Sequence, residues 1–146
     1  MSATDESCHP NEHRASLTRL PQLADATIQF NVAKELVQLH HVGAWDQTTG
    51  RSSKTLAKYA DFRIVLISMK ANTRMDQHRA EGKISIQCLV GQLLIHLPSA
   101  QKAEMVAGDV LVLDCGIPHD VEALTESAFL LTICWSNSHV AEAKDL

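Results

Sequence analysis

The sequence predicts an all-β domain, and three observations carry that expectation. From Ser53 onward, eight short apolar runs follow one another at close spacing: 55–59, 62–69, 83–90, 92–97, 103–106, 110–113, 119–124 and 128–135. Turn-forming residues separate them, among them Gly91, Pro98-Ser99, Ala107-Gly108-Asp109 and Gly116-Ile117-Pro118. In Ile84-Ser85-Ile86-Gln87-Cys88, apolar and polar residues alternate with the period of a strand that buries one face. Runs this short, punctuated this regularly, suggest a sandwich or a closed barrel rather than helices.

The elements can be justified in order. Residues 1–16 are polar and aperiodic, contain Pro10, His9 and His13, and read as a mobile tail. Residues 17–52 read as an N-terminal extension that packs on the barrel. Within it, 32–40 is amphipathic, with Val32, Leu36, Val37 and His40 fitting one face of a short helix, and a strand stays open as the alternative for so short a stretch. Trp45, the Thr49-Gly50 turn and Arg51 lead into the main body, which spans 53–146. His78 ends the Met75-Asp76-Gln77 segment, just before a turn, and the chain beyond 136 reads as a short polar tail.

Composition bounds the function. The chain has 146 residues, one domain's length. It is 45% hydrophobic and 21% charged, which is ordinary for a globular protein. The net charge is -4, and Lys54, Lys58 and Arg63 are too sparse to form a phosphate-binding surface, so nucleic acid is not an expected partner. No apolar run approaches the ~18 residues of a membrane span. The opening MSATDESCHPNEHR is too polar for a secretory leader, so the expected location is the cytoplasm. Cys8, Cys88, Cys115 and Cys134 are widely spaced with no C-x-x-C pair, which reads as small buried hydrophobes in a reducing compartment.

Three histidines fall in the strand region: His78, His96 and His119. His78 and His119 stand at run edges, where barrels place pocket residues. His96 lies inside a run on a face of mixed character. Asp120 directly follows His119 and would point the opposite way on a strand. Arg51 and Arg63 could grip a carboxylate bidentately, with solvated or salt-bridged surface roles as the plainer reading. Trp45 and Trp135 read as caps on a core. There is no G-x-S-x-G elbow and no phosphate-binding glycine loop.

The stretch Gly108-x5-Asp114-x-Gly116-x2-His119 resembles the second motif of the cupin superfamily, G-x5-P-x-G-x2-H, with Asp114 in place of the proline. His78 precedes Gly91 at the spacing of the first histidine and closing glycine of the first motif, H-x-H-x3-4-E-x6-G. The resemblance covers 78–119 directly, and the strand pattern extends it to about 53–136. It implies a small RmlC-like cupin, a double-stranded β-helix or jelly-roll barrel, in which His78 and His119 share a pocket. It also implies a degenerate first metal-binding motif, because Ala80 and Ile84 stand where the family has its second histidine and its glutamate. If Ile84, Ile86 and Cys88 face inward, they line the pocket with apolar surface.

The resemblance further implies one divalent transition metal (Zn, Fe, Mn or Ni) held by His78 and His119. The candidates for a third ligand are His96, Cys115, Cys88 and Glu81, since catalytic sites usually use three protein ligands. The leading functional expectation is a small-molecule-binding cupin. The alternatives are a cupin enzyme, either dioxygenase-like with a metal or a metal-free isomerase or epimerase using a histidine base, and a structural barrel without a working site. A homodimer is the expected assembly.

Overall fold

The computed structural model describes residues 23–42 and 49–135. The expectations for residues 1–16, for Trp45 and for the chain beyond 136 lie outside these residues. Helix α1 spans Val32–Val42. Asn31 starts it, its Oδ1 accepting the Lys34 N–H at 2.9 Å, the side-chain cap that the first orphan amides require. Val32, Leu36 and Leu39 are half-buried, whereas Val37 is 69% exposed. The inward face therefore runs through 32, 36 and 39, and Val37 does not belong to it. The helix is tied to the strands by Lys54 Nζ–Glu35 Oε2 at 2.6 Å and by a hydrogen bond between His40 Nε2 and Ser68 Oγ at 2.7 Å.

Nine strands follow: β1 (Arg51–Lys58), β2 (Phe62–Met69), β3 (Thr73–His78), β4 (Lys83–Val90), β5 (Gln92–His96), β6 (Lys102–Val106), β7 (Val110–Leu113), β8 (His119–Ala123) and β9 (Ser127–Cys134). Eight of them correspond to the apolar runs of the sequence. The ninth, β3, is TRMDQH, and its mainly exposed residues hide it from a hydrophobicity pattern. It is an edge strand, so only part of one face needs to be apolar.

All pairings are antiparallel and form two sheets, β1-β2-β9-β4-β7 and β3-β8-β5-β6. The arrangement is the expected jelly roll, with two facing sheets rather than a closed ring of hydrogen bonds. Alternation puts Ile67, Met69, Ile84, Ile86, Cys88 and Phe129 of one sheet against Leu93, Ile95, Met105, Val121 and Ala123 of the other. This single core sets the separation of the sheets and so the place of any side chain at their rim.

Cys88 is buried, while Cys115 and Cys134 are exposed free thiols, so burial accounts for only one of these three cysteines. Among the described residues, no helix is long and apolar enough to cross a membrane.

Candidate functional site

His119 opens β8 on its inner face and is only 2% exposed. His78 closes β3 and is exposed. The two are directly paired in register, with ring centroids 4.3 Å apart in an edge-on contact. A register shift makes this pairing. Met75 faces Val121, and the next recorded partners are His78 and His119, so β3 advances three residues while β8 moves two. Regular alternation would set Gln77 opposite His119. The extra residue of a β-bulge replaces it with His78, a known way of re-aiming a side chain at a sheet rim.

Both imidazoles are oriented in the same way. His78 Nδ1 lies 2.9 Å from the Asp76 carbonyl oxygen, and His119 Nδ1 lies 2.9 Å from the Ile117 carbonyl oxygen. A carbonyl only accepts, so each Nδ1 carries the proton and donates it. Each neutral ring then has its lone pair on Nε2, and neither Nε2 hydrogen-bonds to another of the described residues. A backbone carbonyl that fixes the tautomer in this way is the usual outer partner of a metal-ligating histidine.

The segment before His119 is held in place. The Gly116 N–H donates to the Ala80 carbonyl at 2.8 Å, joining the second motif to the chain just after His78. Asp114, which stands where the motif has proline, accepts from the Cys115 N–H at 2.8 Å and from Lys83 Nζ at 2.9 Å. The hydrogen bond from Lys83 is also the main cause that holds the Asp114 carboxyl below its ordinary range. A side-chain bond thus restrains a turn that a ring would restrain covalently. Beside the bulge, Arg74 Nη2 meets the buried Asp120 Oδ2 at 2.6 Å and clips β3 to β8.

The other candidates lie apart from the pair. His96 pairs in register with Asp120, not His119, and so projects from the opposite face of its sheet. There its Nε2 bonds Glu122 Oε1 at 2.9 Å and lies 3.8 Å from Asp120 Oδ1. Ile84, Ile86 and Cys88 are at most 4% exposed and pack in the core. They are not among the residues that line the cleft at His78 or the cavity at Cys115. Burial also pushes the Cys88 thiol up, which disfavours the thiolate a metal would need. Glu81 is exposed in the turn before β4. Cys115 lines a separate cavity of about 440 Å3 with Leu97, Pro98, Leu113 and Ile117. Among the described residues, no group of three or more His, Cys, Asp and Glu side chains is arranged to hold a metal ion.

His78 also lines a cleft of about 710 Å3 with Thr49, Arg51, Thr73, Arg74, Met75, Asp76 and Gln77. Most of these residues belong to β3, the strand that the apolar pattern passed over. The signal that would have found it is weak: apolar Met75 two residues after Thr73, ahead of a polar end. Arg63, the other arginine weighed for carboxylate binding, stacks over Trp135 at 5.4 Å and takes no part in the cleft.

Burial, chiefly, pushes the His119 imidazole below its ordinary value of 6.5, and the nearby His78 adds to the shift. Above pH 6.5 the folded and unfolded chains both hold His119 neutral, and it costs no stability. As pH falls below that value the unfolded chain takes up the proton first, so the folded state weakens until its own lower pKa is passed. Thermal melts between pH 7.5 and 5 are therefore expected to show Tm falling, with a shallower fall in His119→Gln. Identical slopes in both proteins would remove His119 from the acid response.

No protein-family model and no curated protein matches the chain. Solved structures do. A conserved protein of unknown function from Streptococcus pyogenes superposes with a TM-score of 0.62 at 19% identity, covering 80% of this chain and 95% of that one. A cupin superfamily protein from Desulfitobacterium hafniense gives 0.60 at 19% identity, covering 67% and 87%. An RmlC-like cupin from Desulfovibrio desulfuricans gives 0.57 at 25% identity, covering 64% and 89%. The strand order, the core between two sheets and these likenesses lead to one conclusion: the chain is a small domain of the cupin fold.

Proposed function

We propose that this domain binds a small molecule at the rim of its barrel, with a divalent transition metal (Zn, Fe, Mn or Ni) held by His78 and His119. The observation that carries the reading is the matched pair of Nδ1–H···O=C bonds, which leaves two Nε2 lone pairs on rings in contact. A zinc–nitrogen bond of about 2 Å asks two ligand nitrogens to lie within about 4 Å of each other, and what supports the reading is that the two ring centroids stand 4.3 Å apart. Such an ion, when bound, supplies Lewis acidity toward a ligand oxygen. Two protein ligands leave its remaining positions to water or to the small molecule. This favours binding over dioxygenase-like catalysis, which ordinarily uses a third protein ligand.

Elemental analysis of tag-free protein, beside the His78→Ala/His119→Ala double variant, tests this. Near one equivalent of metal in the parent and none in the variant is the expected result. No metal in the parent after incubation with excess zinc, iron, manganese or nickel would sink the metal half of the reading. The pocket would then be organic.

A metal-free isomerase or epimerase is the second reading. What favours it is His119 itself, a buried imidazole kept neutral by desolvation with its Nε2 lone pair available, the state a general base needs. As assembly we propose a homodimer. β7 is an edge strand whose Val110 and Val112 are 56% and 67% exposed, and such an edge has reason to be covered. Light scattering giving the monomer mass at working concentration would remove the dimer. The free thiols of Cys88, Cys115 and Cys134 fit a cytoplasmic setting.

A further inference from the structure

We infer that the cleft between the start of β1 and the open edge of β3 is a carboxylate-binding site, with Arg51 as its anchor and His78 at its far end. The inference rests on the small-molecule reading above and names the chemical class that the pocket would take.

The cleft measures about 710 Å3, inside the roughly 300–1,000 Å3 typical of small-molecule sites. Its ionisable lining is Arg51, Arg74, His78 and Asp76. Arg74 is already committed, since its guanidinium meets Asp120 at 2.6 Å. Arg51 is not. It is half-buried, and it makes no hydrogen bond or ion pair among the described residues. A guanidinium that lines a cleft and has no protein partner there keeps its donors available to an incoming anion. Its planar fork matches one carboxylate with two parallel hydrogen bonds.

The charge balance points to a carboxylate rather than a phosphate. With Arg74 paired to Asp120, the cleft retains one unpaired guanidinium, a single carboxylate at Asp76 and a His78 whose Nε2 is an acceptor. A singly charged planar anion suits that set better than a dianion, which needs more cationic donors.

The backbone also holds Arg51 in place. Gly50 has a φ of +70° and sits so close to β3 that an added Cβ would lie 2.6 Å from Thr73 Cγ2. This close approach seats the start of β1, an edge of one sheet, against the start of β3, an edge of the other. Along β3 the cleft then runs past Thr73, Met75 and Gln77 to His78, which touches His119. A ligand anchored by its carboxylate at Arg51 would extend along this edge toward the imidazoles.

The test is a ligand-observed NMR titration at low ionic strength with matched pairs, benzoate against benzamide and glutarate against glutaramide, and with inorganic phosphate. The expected result is that the carboxylates bind, the amides and phosphate bind at least about tenfold more weakly, and Arg51→Gln removes the difference. Arg51→Lys, which keeps the charge but not the fork, is expected to retain only part of it, and circular dichroism confirms that each variant folds. Protein dialysed against a chelator is expected to show the same preference for carboxylates over amides, so a failure of the metal reading leaves this result standing. Carboxylates that bind no better than their amides, or equally well to Arg51→Gln, or not at all at millimolar concentration, would each overturn the inference. Tighter binding of phosphate than of carboxylate would overturn the class of ligand.

Discussion

Replacing Phe129 by alanine is expected to lower the free energy of unfolding by about 3–5 kcal/mol. That is a large part of the ~5–15 kcal/mol that holds a domain of this size together. Phe129 is 1% exposed and heads the largest fully buried side chains of the domain. It sits on β9, the middle strand of the five-stranded sheet, paired with Ile67 on one side and Cys88 on the other. Its ring fills the space between the sheets, so truncation removes the transfer free energy of the ring and leaves a cavity that rigid strands cannot collapse. Urea denaturation followed by circular dichroism reads the change. Val112→Ala is the control: that side chain is 67% exposed on an edge strand, and its loss should stay within about 0.5 kcal/mol. A Phe129→Ala loss close to that of the control would mean that the core is not organised around this residue.

The second large effect is expected at Gly91. This one residue links the end of β4 to the start of β5, carrying the chain from one sheet to the other. Its φ is +84°, and a Cβ placed there would lie 2.3 Å from both the Glu126 carbonyl oxygen and Ser127 Oγ. Ser127 cannot easily give way. Its hydroxyl accepts from the Gln92 N–H at 3.1 Å and donates toward the Thr125 carbonyl at 2.7 Å, holding the opposite turn against Gly91. Gly91→Ala therefore adds a backbone clash to left-handed strain, and a loss of at least about 3 kcal/mol is expected, with much of the protein insoluble.

Gly108→Ala separates the two causes. Gly108 also has a positive φ, +98°, but nothing lies within 4 Å of the added Cβ. Only the torsional cost of about 1–2 kcal/mol remains there. Soluble expression and urea midpoints of the two variants compare them directly. Equal losses would show that backbone strain, and not the approach of the 126–127 turn, makes Gly91 a glycine.

The family resemblance rested on Gly91, Gly108 and Gly116 together with the two histidines, and the reasons for these glycines differ. Gly91 is demanded by a tertiary contact. Gly108 and Gly116 are demanded by local turns, with φ of +98° and +77° and open space around them. A spacing pattern records all three alike, because it registers the absence of a side chain and not its cause.

The histidines show where legibility stopped. That His78 and His119 flank turns could be read from residue order. That His78 faces His119 could not, because strict alternation along β3 would have aimed Gln77 there. The bulge between Met75 and His78 reversed the phase. His96 shows the opposite case. Its alternation partners were mixed, and only its pairing with Asp120 on β8 settled that it turns away from the pocket to meet Glu122. Ile84, Ile86 and Cys88 were correctly placed on an inward face by period two, but that face meets the other sheet directly.

The sequence by itself determined the all-β class and eight of the nine strands. Those features follow from local rules: strand period and turn residues act over a few residues. Only the tertiary structure decided that β3 is a strand, that its cleft opens toward Arg51, and that two imidazoles meet while a third does not. Those outcomes depend on cross-strand register, and register is a relation between segments that one inserted residue reverses.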